Sequence, residues 1–269
     1  MFDKGLERER RVGRLFGGDG RSLVVAIDHG GGINVYPELA DPGLIIAQVA
    51  EGGADAILAN PGAVRRYATE LKSLGVILRM DGGASLLSKT PESRLLFSVE
   101  DALRLGADAV ACMGFPGTPL EGHTLANLAN LAGQCQNWGM PLMAEVLPGG
   151  FTHMELRTPE NVQLAARIGV ELGADLIKTE FTGSEDSFKA VVENCFRPVL
   201  VLGGSKLDDE SALFRMVRSA LNAGAVGAVI GRNVWGHRNP RAFVEALSHL
   251  VHGDASVEET LEFFKSASA

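Results

Sequence analysis

Cysteine is scarce in this chain of 269 residues, with only three copies. Cys112, Cys135 and Cys195 lie far apart, and no Cys-x-x-Cys pair or Cys/His ligand spacing accompanies them. This pattern argues against a disulfide framework and gives no indication of a zinc site. We therefore expect reduced thiols and no bound metal. Cys112, at the end of a predicted strand, is interpreted as a small core residue.

The sequence also lacks long apolar runs and an excess of positive charge. No segment approaches the roughly 18 apolar residues that a membrane span requires, and residues 1–20 lack the apolar part of a signal peptide. The formal net charge is -8, so long-range repulsion opposes binding to nucleic acid or to an acidic membrane. We expect a cytoplasmic protein that binds neither, with any anion site built from a few placed groups.

Glycine, by contrast, is abundant, with 33 copies, and a recurring phrase contains several of them. The phrase follows an amphipathic helical pattern, turns on a glycine and enters a short apolar strand. Its four copies are GGADAILAN (52–60), LGADAVACMG (105–114), LGADLIKTE (172–180) and AGAVGAVIGR (223–232). Each copy predicts the junction between a helix and the next strand of a repeating βα unit.

Four further strand candidates alternate with these copies, at residues 22–30, 75–83, 140–150 and 197–204. Eight strands alternating with helices fit a closed (β/α)8 TIM barrel better than an open doubly wound sheet. The first strand ends in DHGGGIN, which is not the Gly-x-Gly-x-x-Gly of a dinucleotide-binding sheet. We predict an α/β fold with one barrel domain over residues 1–269. Residues 1–20 are expected to cap the barrel bottom and residues 254–269 to form a surface helix.

The reacting groups of such barrels lie at the carboxyl ends of the strands, and a lysine stands at one of them. Lys178 follows the apolar pair Leu176-Ile177. An inward lysine in such a run loses hydration, which disfavours its ammonium form and favours the nucleophilic amine of Schiff-base chemistry. The position also suits a lysine in a buried ion pair with Asp28 or Glu145, or one that reaches the rim.

Glycine-rich sequences end the last two predicted strands. Backbone amides of these loops hold phosphate in many barrels, and glycine allows the close approach. Glycines also end strands for steric reasons, so the prediction depends on finding both pairs at consecutive strand ends. The candidate phosphate-binding residues are Gly203, Gly204, Lys206, Gly231 and Arg232.

Two carboxylates, Asp28 and Glu145, end the first and fifth predicted strands. They suit proton transfer or the binding of substrate hydroxyls, and the alternative is an ion pair with Lys178 or Arg79. The other candidates for the substrate pocket are His29, Asn60, Asp81 and His153. His29 alternatively fixes its loop by a hydrogen bond, and His153 alternatively lies in solvent.

The motifs AIDHG, GADLIKT, VLGGSK and GAVGAVIGRNVW, in this order, resemble the archaeal-type class I aldolase family. The resemblance runs from about residue 20 to residue 250. This family includes fructose-bisphosphate aldolase, aminodideoxyheptulosonate synthase and the thiolase that processes phosphorylated autoinducer-2. The resemblance implies a barrel in which Lys178 forms the Schiff base, Asp28 assists, and Gly203, Gly204, Gly231 and Arg232 hold phosphate. It also implies a homo-oligomer, often a large ring.

One turn departs from the family pattern. Where the similar aldolases carry Tyr-Pro-Arg-Gly after strand five, this chain has Leu147-Pro148-Gly149-Gly150. Leucine cannot transfer a proton, so the usual acid/base is absent at that position. Glu145, two residues earlier and on the same strand face by alternation, is the candidate replacement.

These observations predict a lyase: a metal-independent class I aldolase that acts on a small phosphorylated ketose or hydroxyketone and needs no cofactor. Lys178 would attack the carbonyl, with Asp28 and Glu145 as the other catalytic candidates. One alternative is a coenzyme A-dependent acyl transfer of the thiolase type on a phosphorylated diketone. The other is a non-catalytic barrel that binds sugar phosphates.

Overall fold

The computed structural model describes residues 6–30, 35–83, 85, 87, 88, 92–207 and 209–268. The strands of this part are β1 (Ser22–Ala26), β2 (Ala56–Ala59), β3 (Gly75–Arg79), β4 (Asp81–Gly83), β5 (Ser93–Leu95), β6 (Ala109–Gly114), β7 (Leu142–Val146), β8 (Leu176–Thr179), β9 (Val199–Leu202) and β10 (Gly227–Ile230). All except β4 and β5 form one closed parallel barrel in which neighbours in the chain pair and β10 returns to β1. The predicted (β/α)8 barrel is therefore confirmed.

Helices surround this barrel. Those of the described residues are α1 (Leu6–Val12), α2 (Pro42–Glu51), α3 (Pro61–Arg66), α4 (Val99–Arg104), α5 (Glu121–Trp138), α6 (Pro159–Glu171), α7 (Glu185–Asn194), α8 (Glu210–Asn222), α9 (Arg232–Trp235), α10 (Pro240–His252) and α11 (Val257–Ala267). Many begin at a side chain that accepts a hydrogen bond from a backbone amide of the first turn, as Thr158 does for α6 and Ser184 for α7. Such caps satisfy donors that the helix itself leaves unpaired.

The third predicted strand, at residues 75–83, is shorter in the structure and splits in two. β3 ends at Arg79, and Asp81–Gly83 instead pairs antiparallel with β5 outside the barrel. The change of partner occurs at Met80, whose amide still donates to the Ala111 carbonyl of β6 while its own carbonyl accepts the Leu96 amide. The split matters for the site, since it leaves Arg79 at the carboxyl end of a barrel strand.

Side chains alternate between two apolar layers, as the two-residue period of a strand requires. Leu176 belongs to the layer inside the barrel, whereas Ile177 packs outward against the helices. Cys112 is fully buried in the outer layer. The inward positions continue toward the carboxyl ends of the strands, and Lys178 is the next one on β8.

The aspartates of the recurring glycine phrase link neighbouring strands of the barrel. Asp55, Asp108 and Asp175 each precede a barrel strand and accept a hydrogen bond from the backbone amide of the first or second residue of the preceding barrel strand, over 2.7–3.0 Å. In the fourth copy Val226 takes the place of the aspartate and is followed by Gly227. A Cβ on Gly227 would lie 1.9 Å from the Ser22 carbonyl oxygen, so only glycine fits this contact between β10 and β1.

The chain ends pack on this framework. Arg8 forms an ion pair with Asp175, and Arg14 forms one with Asp108, which joins the N-terminal segment to the end of the barrel where the strands begin. At the other end of the chain, Phe264 of α11 packs edge-on against Phe243 of α10. Residues 1–5 of the predicted N-terminal cap and residue 269 of the predicted C-terminal helix lie outside the described residues.

Candidate active site at the carboxyl end of the barrel

The inward side chains change from apolar to charged toward the carboxyl ends of the strands. On β7 Met143 lies in the inner apolar layer, and the next inward residue is Glu145. On β8 Leu176 is followed in the same way by Lys178. Glu145 and Lys178 also occupy paired positions in the ladder of these two strands. The alternation therefore places a carboxylate and an amine side by side above the apolar layer.

Arg79 lies at the centre of this charged layer, with its side chain 4% exposed. Its Nε and Nη2 each lie 2.8 Å from Oδ2 of Asp28, and Nη1 lies 3.4 Å from Oδ1 of Asp81. Nη2 also donates to Oε2 of Glu145. Burial alone would lower the pKa of Arg79, but the three carboxylates outweigh it and raise the pKa well above its ordinary value. The guanidinium is therefore a permanent charge that holds carboxylates from three parts of the chain together.

Lys178 is buried and makes an ion pair with Glu145, since its Nζ lies 2.8 Å from Oε1. Burial would raise the pKa of Glu145, but the positive charges of Lys178 and Arg79 outweigh it and lower the pKa to about 2. Glu145 is thus ionised at neutral pH, with each carboxylate oxygen against a cation. This is the ion pair that the sequence offered as the alternative reading of Lys178.

Asp28, Asn60 and Asp81 surround this centre. The Asn60 side chain donates to the Asp28 carbonyl over 2.7 Å, which fixes the backbone after β1. Oδ2 of Asp81 accepts the Met113 amide over 3.0 Å. Burial raises the pKa of Asp81 despite its contact with Arg79. The structure therefore brings these three predicted residues to one place with the Lys178–Glu145 pair.

His29 lies between the charged layer and the end of β10. Its ring packs edge-on against Trp235, with centroids 5.4 Å apart, and its Nδ1 lies 3.7 Å from Oδ1 of Asp28. Burial, opposed by Asp28 and assisted by the charges of Lys178 and Arg232, lowers the pKa of His29. A Cβ on Gly231 would lie 2.6 Å from Cε1 of His29, so glycine is required where the ring meets the backbone.

The predicted phosphate-binding residues lie around the ends of β9 and β10. Gly204 has a φ of +64°, a conformation that favours glycine. Within the described part of the chain, its backbone amide and that of Ser205 donate to no protein acceptor. The Nε of Arg232 is buried and likewise lacks a partner among the described residues. These groups leave donors available at the rim of the barrel.

Gly203 and Lys206 lie in the same loop but differ in accessibility. The Gly203 amide already donates to the Val229 carbonyl, and a Cβ there would lie 2.9 Å from Cδ1 of Ile230. Lys206 is exposed, and its Nζ donates to the Gly236 carbonyl over 2.6 Å. The side chain of Lys206 is thus held along α9, and its predicted contact with phosphate stays a prediction.

The loop after β7 carries His153 and Leu147. His153 is 45% exposed and contacts Glu155, with 3.3 Å between Nδ1 and Oε1, so it is not part of the charged layer. Leu147, at the position where the similar aldolases carry a tyrosine, is buried. Among the described residues, no group of three His, Cys, Asp or Glu side chains has an arrangement that would hold a metal ion.

A second ion pair at the rim was not singled out from the sequence. Arg157 donates both to Oε1 of Glu180 and to the Gly150 carbonyl in the loop after β7. Burial raises the pKa of Glu180, and Arg157 only partly offsets this. Counting in steps of two from Lys178 would have found Glu180 at the next inward position.

Comparison with known proteins places this geometry in a family. Residues 22–237 match the family model described as DeoC/LacD family aldolase. The chain is 34% identical to class 1 fructose-bisphosphate aldolase of Thermoproteus tenax, over 92% of this chain and 96% of that protein. It is also 34% identical to 2-amino-3,7-dideoxy-D-threo-hept-6-ulosonate synthase of Halobacterium salinarum, over 90% and 91% respectively.

A solved structure agrees with these matches. It is an archaeal fructose-1,6-bisphosphate aldolase whose catalytic lysine is covalently bound to the carbinolamine intermediate of the substrate. The two folds superpose with a TM-score of 0.83 at 32% identity, over 91% of this chain and all of that chain.

No helix in the described part of the chain is long and apolar enough to cross a membrane.

The matches confirm the prediction of a lyase and favour the class I aldolase over the thiolase and non-catalytic alternatives. The match to the family model covers most of the chain, from β1 to the second residue after α9. On this evidence, the chain belongs to the DeoC/LacD family of aldolases.

Proposed function

We propose that the protein cleaves or forms a carbon–carbon bond in a small phosphorylated ketose or hydroxyketone through a Schiff base on Lys178. The observation that carries the proposal is the Lys178 amine, which is buried at the inward carboxyl end of β8 with Nζ 2.8 Å from Glu145. Support comes from the similar archaeal aldolase, in which a catalytic lysine carries the intermediate.

The chemistry follows from this placement. The neutral amine attacks the substrate carbonyl, and loss of water gives a protonated imine that accepts the electrons of the adjacent carbon–carbon bond. The imine carries the same positive charge as the lysine it replaces. Glu145, which lies 2.8 Å from the lysine amine before the reaction, therefore faces a cation again in the imine and serves as its counter-ion.

Asp28 is the second group that we place on the substrate. One of its oxygens is occupied by Arg79, and the other lies 3.7 Å from Nδ1 of His29. A carboxylate oxygen without a close partner can accept a hydrogen bond from a substrate hydroxyl. Asp28 would thus orient the sugar hydroxyls over Lys178, with His29 at the edge of the pocket.

The substrate phosphate would bind at the ends of β9 and β10. The support is the set of available donors, which are the amides of Gly204 and Ser205 and the guanidinium of Arg232, together with the close approach that Gly231 permits. Binding there would fix the substrate carbonyl over the Lys178 amine. Because one similar protein is a class 1 fructose-bisphosphate aldolase, fructose 1,6-bisphosphate is the first compound to assay.

Self-association is part of the proposal and has its own test. Large apolar side chains are exposed on the outer surface, with Leu164 at 56% and Phe196 at 57%. Covering them against other copies would remove apolar area from water. Light scattering after size exclusion would give a mass well above 28.4 kDa if the proposal holds. The cytoplasmic location stays a prediction.

Borohydride reduction tests the Schiff base directly. The protein is treated with borohydride in the presence of dihydroxyacetone phosphate and a panel of phosphorylated ketoses, and the adduct is mapped by peptide mass. An adduct on Lys178 that is absent from Lys178→Met but present in Lys189→Met supports the proposal. Lys189 is a suitable control because it is 62% exposed on α7. Activity that requires coenzyme A would instead favour the thiolase alternative.

A further inference from the structure

The proposed cleavage of a carbon–carbon bond requires a group that transfers a proton, and Glu180 lies in a suitable place for this role. Strand alternation puts Leu176 in the inner apolar layer and Lys178 in the charged layer, so the next inward position is Glu180. Its side chain is 20% exposed, whereas that of Lys178 is 8% exposed. Glu180, the residue directly after the end of β8, is therefore a carboxylate one step further out than Lys178.

Two other carboxylates of the charged layer, Glu145 and Asp81, are less suited to this task, and Asp28 is already placed on the substrate hydroxyls. Both oxygens of Glu145 contact cations, and the cations lower its pKa to about 2. A proton that reached Glu145 would break an ion pair and return to solvent or to the amine. Asp81 is 2% exposed and bonded to Arg79 and to the Met113 amide, so a substrate cannot reach it.

Arg157 fixes Glu180 in this place and leaves its side chain 20% exposed. The guanidinium contacts Oε1 of Glu180 and the Gly150 carbonyl, which joins the end of β8 to the loop after β7. Burial, together with the negative charge of Glu145, raises the pKa of Glu180 against the effect of Arg157. A carboxyl group with a raised pKa moves protons near neutral pH more effectively than one held far below it.

We propose that Glu180 is the catalytic residue that moves the proton of carbon–carbon cleavage, an inference that rests on the proposed Schiff base at Lys178. The Glu180 carboxylate takes the proton of the substrate hydroxyl beside the breaking bond. As that hydroxyl becomes a carbonyl, the electron pair of the carbon–carbon bond moves into the imine and gives a neutral enamine. After the aldehyde leaves, Glu180 returns the proton to the enamine carbon, and water releases the ketone from Lys178.

Deuterium exchange into dihydroxyacetone phosphate isolates this step. In D2O, the imine on Lys178 loses and regains the proton of the carbon next to it, which runs the last proton transfer backward without an aldehyde. Exchange is followed by NMR, and imine formation is measured in parallel by borohydride trapping. The variants are Glu180→Gln, Glu180→Asp and the control Glu171→Gln, which alters an exposed carboxylate paired with Arg167 on α6.

The expected result is a separation of the two measurements. In Glu180→Gln, borohydride traps the imine as it does in the unaltered protein, but deuterium exchange is slower by about 100-fold or more. Glu180→Asp keeps a carboxylate and recovers part of the rate, and Glu171→Gln behaves as the unaltered protein.

Two results would overturn the inference. Glu180→Gln that exchanges at the unaltered rate would show that another group moves the proton. Glu180→Gln that loses trapping as well would assign Glu180 to imine formation or to folding. Lack of trapping in the unaltered protein is a different failure, since it removes the Schiff base and this inference with it.

Discussion

Lys178 and Glu145 face each other from paired positions on β8 and β7, with Nζ 2.8 Å from Oε1. The same carboxylate reaches Arg79 with its other oxygen. Glu145 thus positions the Lys178 amine, and Arg79 in turn positions Glu145. The amine that attacks the carbonyl is therefore fixed in place before the substrate binds. Orientation of this kind supplies a large part of the rate in reactions between bound groups.

Replacing Arg79 should lower the stability of the protein. Arg79→Met leaves Asp28, Asp81 and Glu145 without their shared cation in a buried place, and loss of one member of a buried ionic network costs about 3–5 kcal/mol. Urea unfolding at pH 7 measures the loss. Arg241→Met is the matched control, because Arg241 is an exposed arginine that also contacts two carboxylates. Equal stability of the two variants would show that the network contributes little.

Acid should weaken the protein partly through Glu145. The folded-state pKa of Glu145 lies at about 2, below the ordinary 4.5. Its stabilising contribution is therefore complete above pH 4.5 and is lost as the pH falls toward 2, with a size of about 3 kcal/mol. The free energy of unfolding, measured by urea at pH 2.5, 3.5 and 5, should fall less steeply in Glu145→Gln. An identical pH slope in both proteins would contradict this assignment.

The contribution of His252 to stability should depend on pH in the opposite direction, and weaken as the pH rises. Its side chain lies 3.0 Å from Asp19 through Nδ1 and 3.0 Å from Asp55 through Nε2. The hydrogen bond to Asp55 and the contacts with Asp19 raise its pKa above 6.5. The stabilising effect is thus complete below pH 6.5 and is lost as the pH rises through the folded-state pKa.

Thermal unfolding between pH 5.5 and 8.5 checks the effect of His252. The slope across this range should be smaller in His252→Gln than in the unaltered protein. His249→Gln is the control, because His249 is exposed on the same helix and stacks on Phe263. A slope that changes equally in both variants would point to another titrating group.

Gly227 should tolerate no side chain. Gly227→Ala forces a Cβ toward the Ser22 carbonyl, 1.9 Å away, at a φ of +155°. Relief of that overlap requires β10 to move away from β1, and such overpacking costs at least about 2 kcal/mol. Gly133→Ala is the comparison, since Gly133 lies inside α5 and a Cβ there would have no atom within 4 Å beyond its chain neighbours and the backbone of its own helix. Alanine in that helix should stabilise by about 0.5–1 kcal/mol. Chemical unfolding of both variants should show a lower free energy of unfolding for Gly227→Ala and a higher one for the comparison variant.

The barrel was predictable because its signal is repeated and local. Each copy of the glycine phrase carries a helix end and a strand start within a few residues, as in Gly173-Ala174-Asp175. Lys178 was found for the same reason, because it interrupts a short apolar run. Its partner Glu145 was nominated from its place at another strand end. The distance between them depends on ladder register, which a single sequence does not contain.

Arg79 and Glu180 show what local pattern leaves out. The run 75–83 reads as one strand, which hides that β3 ends at Arg79 and that a hairpin begins at Asp81. Glu180 follows the β8 strand, and its partner Arg157 lies 23 residues earlier in a loop. The direction of Lys206 was also beyond the sequence, because an exposed lysine turns to whichever carbonyl the fold brings near, here Gly236.

The aspartates of the glycine phrase divide the barrel into unequal parts. Asp55, Asp108 and Asp175 each bind a neighbouring strand, which joins β1 to β2, β3 to β6 and β7 to β8. The last pair, β9 and β10, has Val226 at the corresponding place. Of these four pairs, it is therefore the one whose two strands can separate from each other without breaking a carboxylate–amide bond. The loops proposed to hold phosphate belong to this pair, so phosphate would tighten the quarter of the barrel that is least restrained by its own sequence.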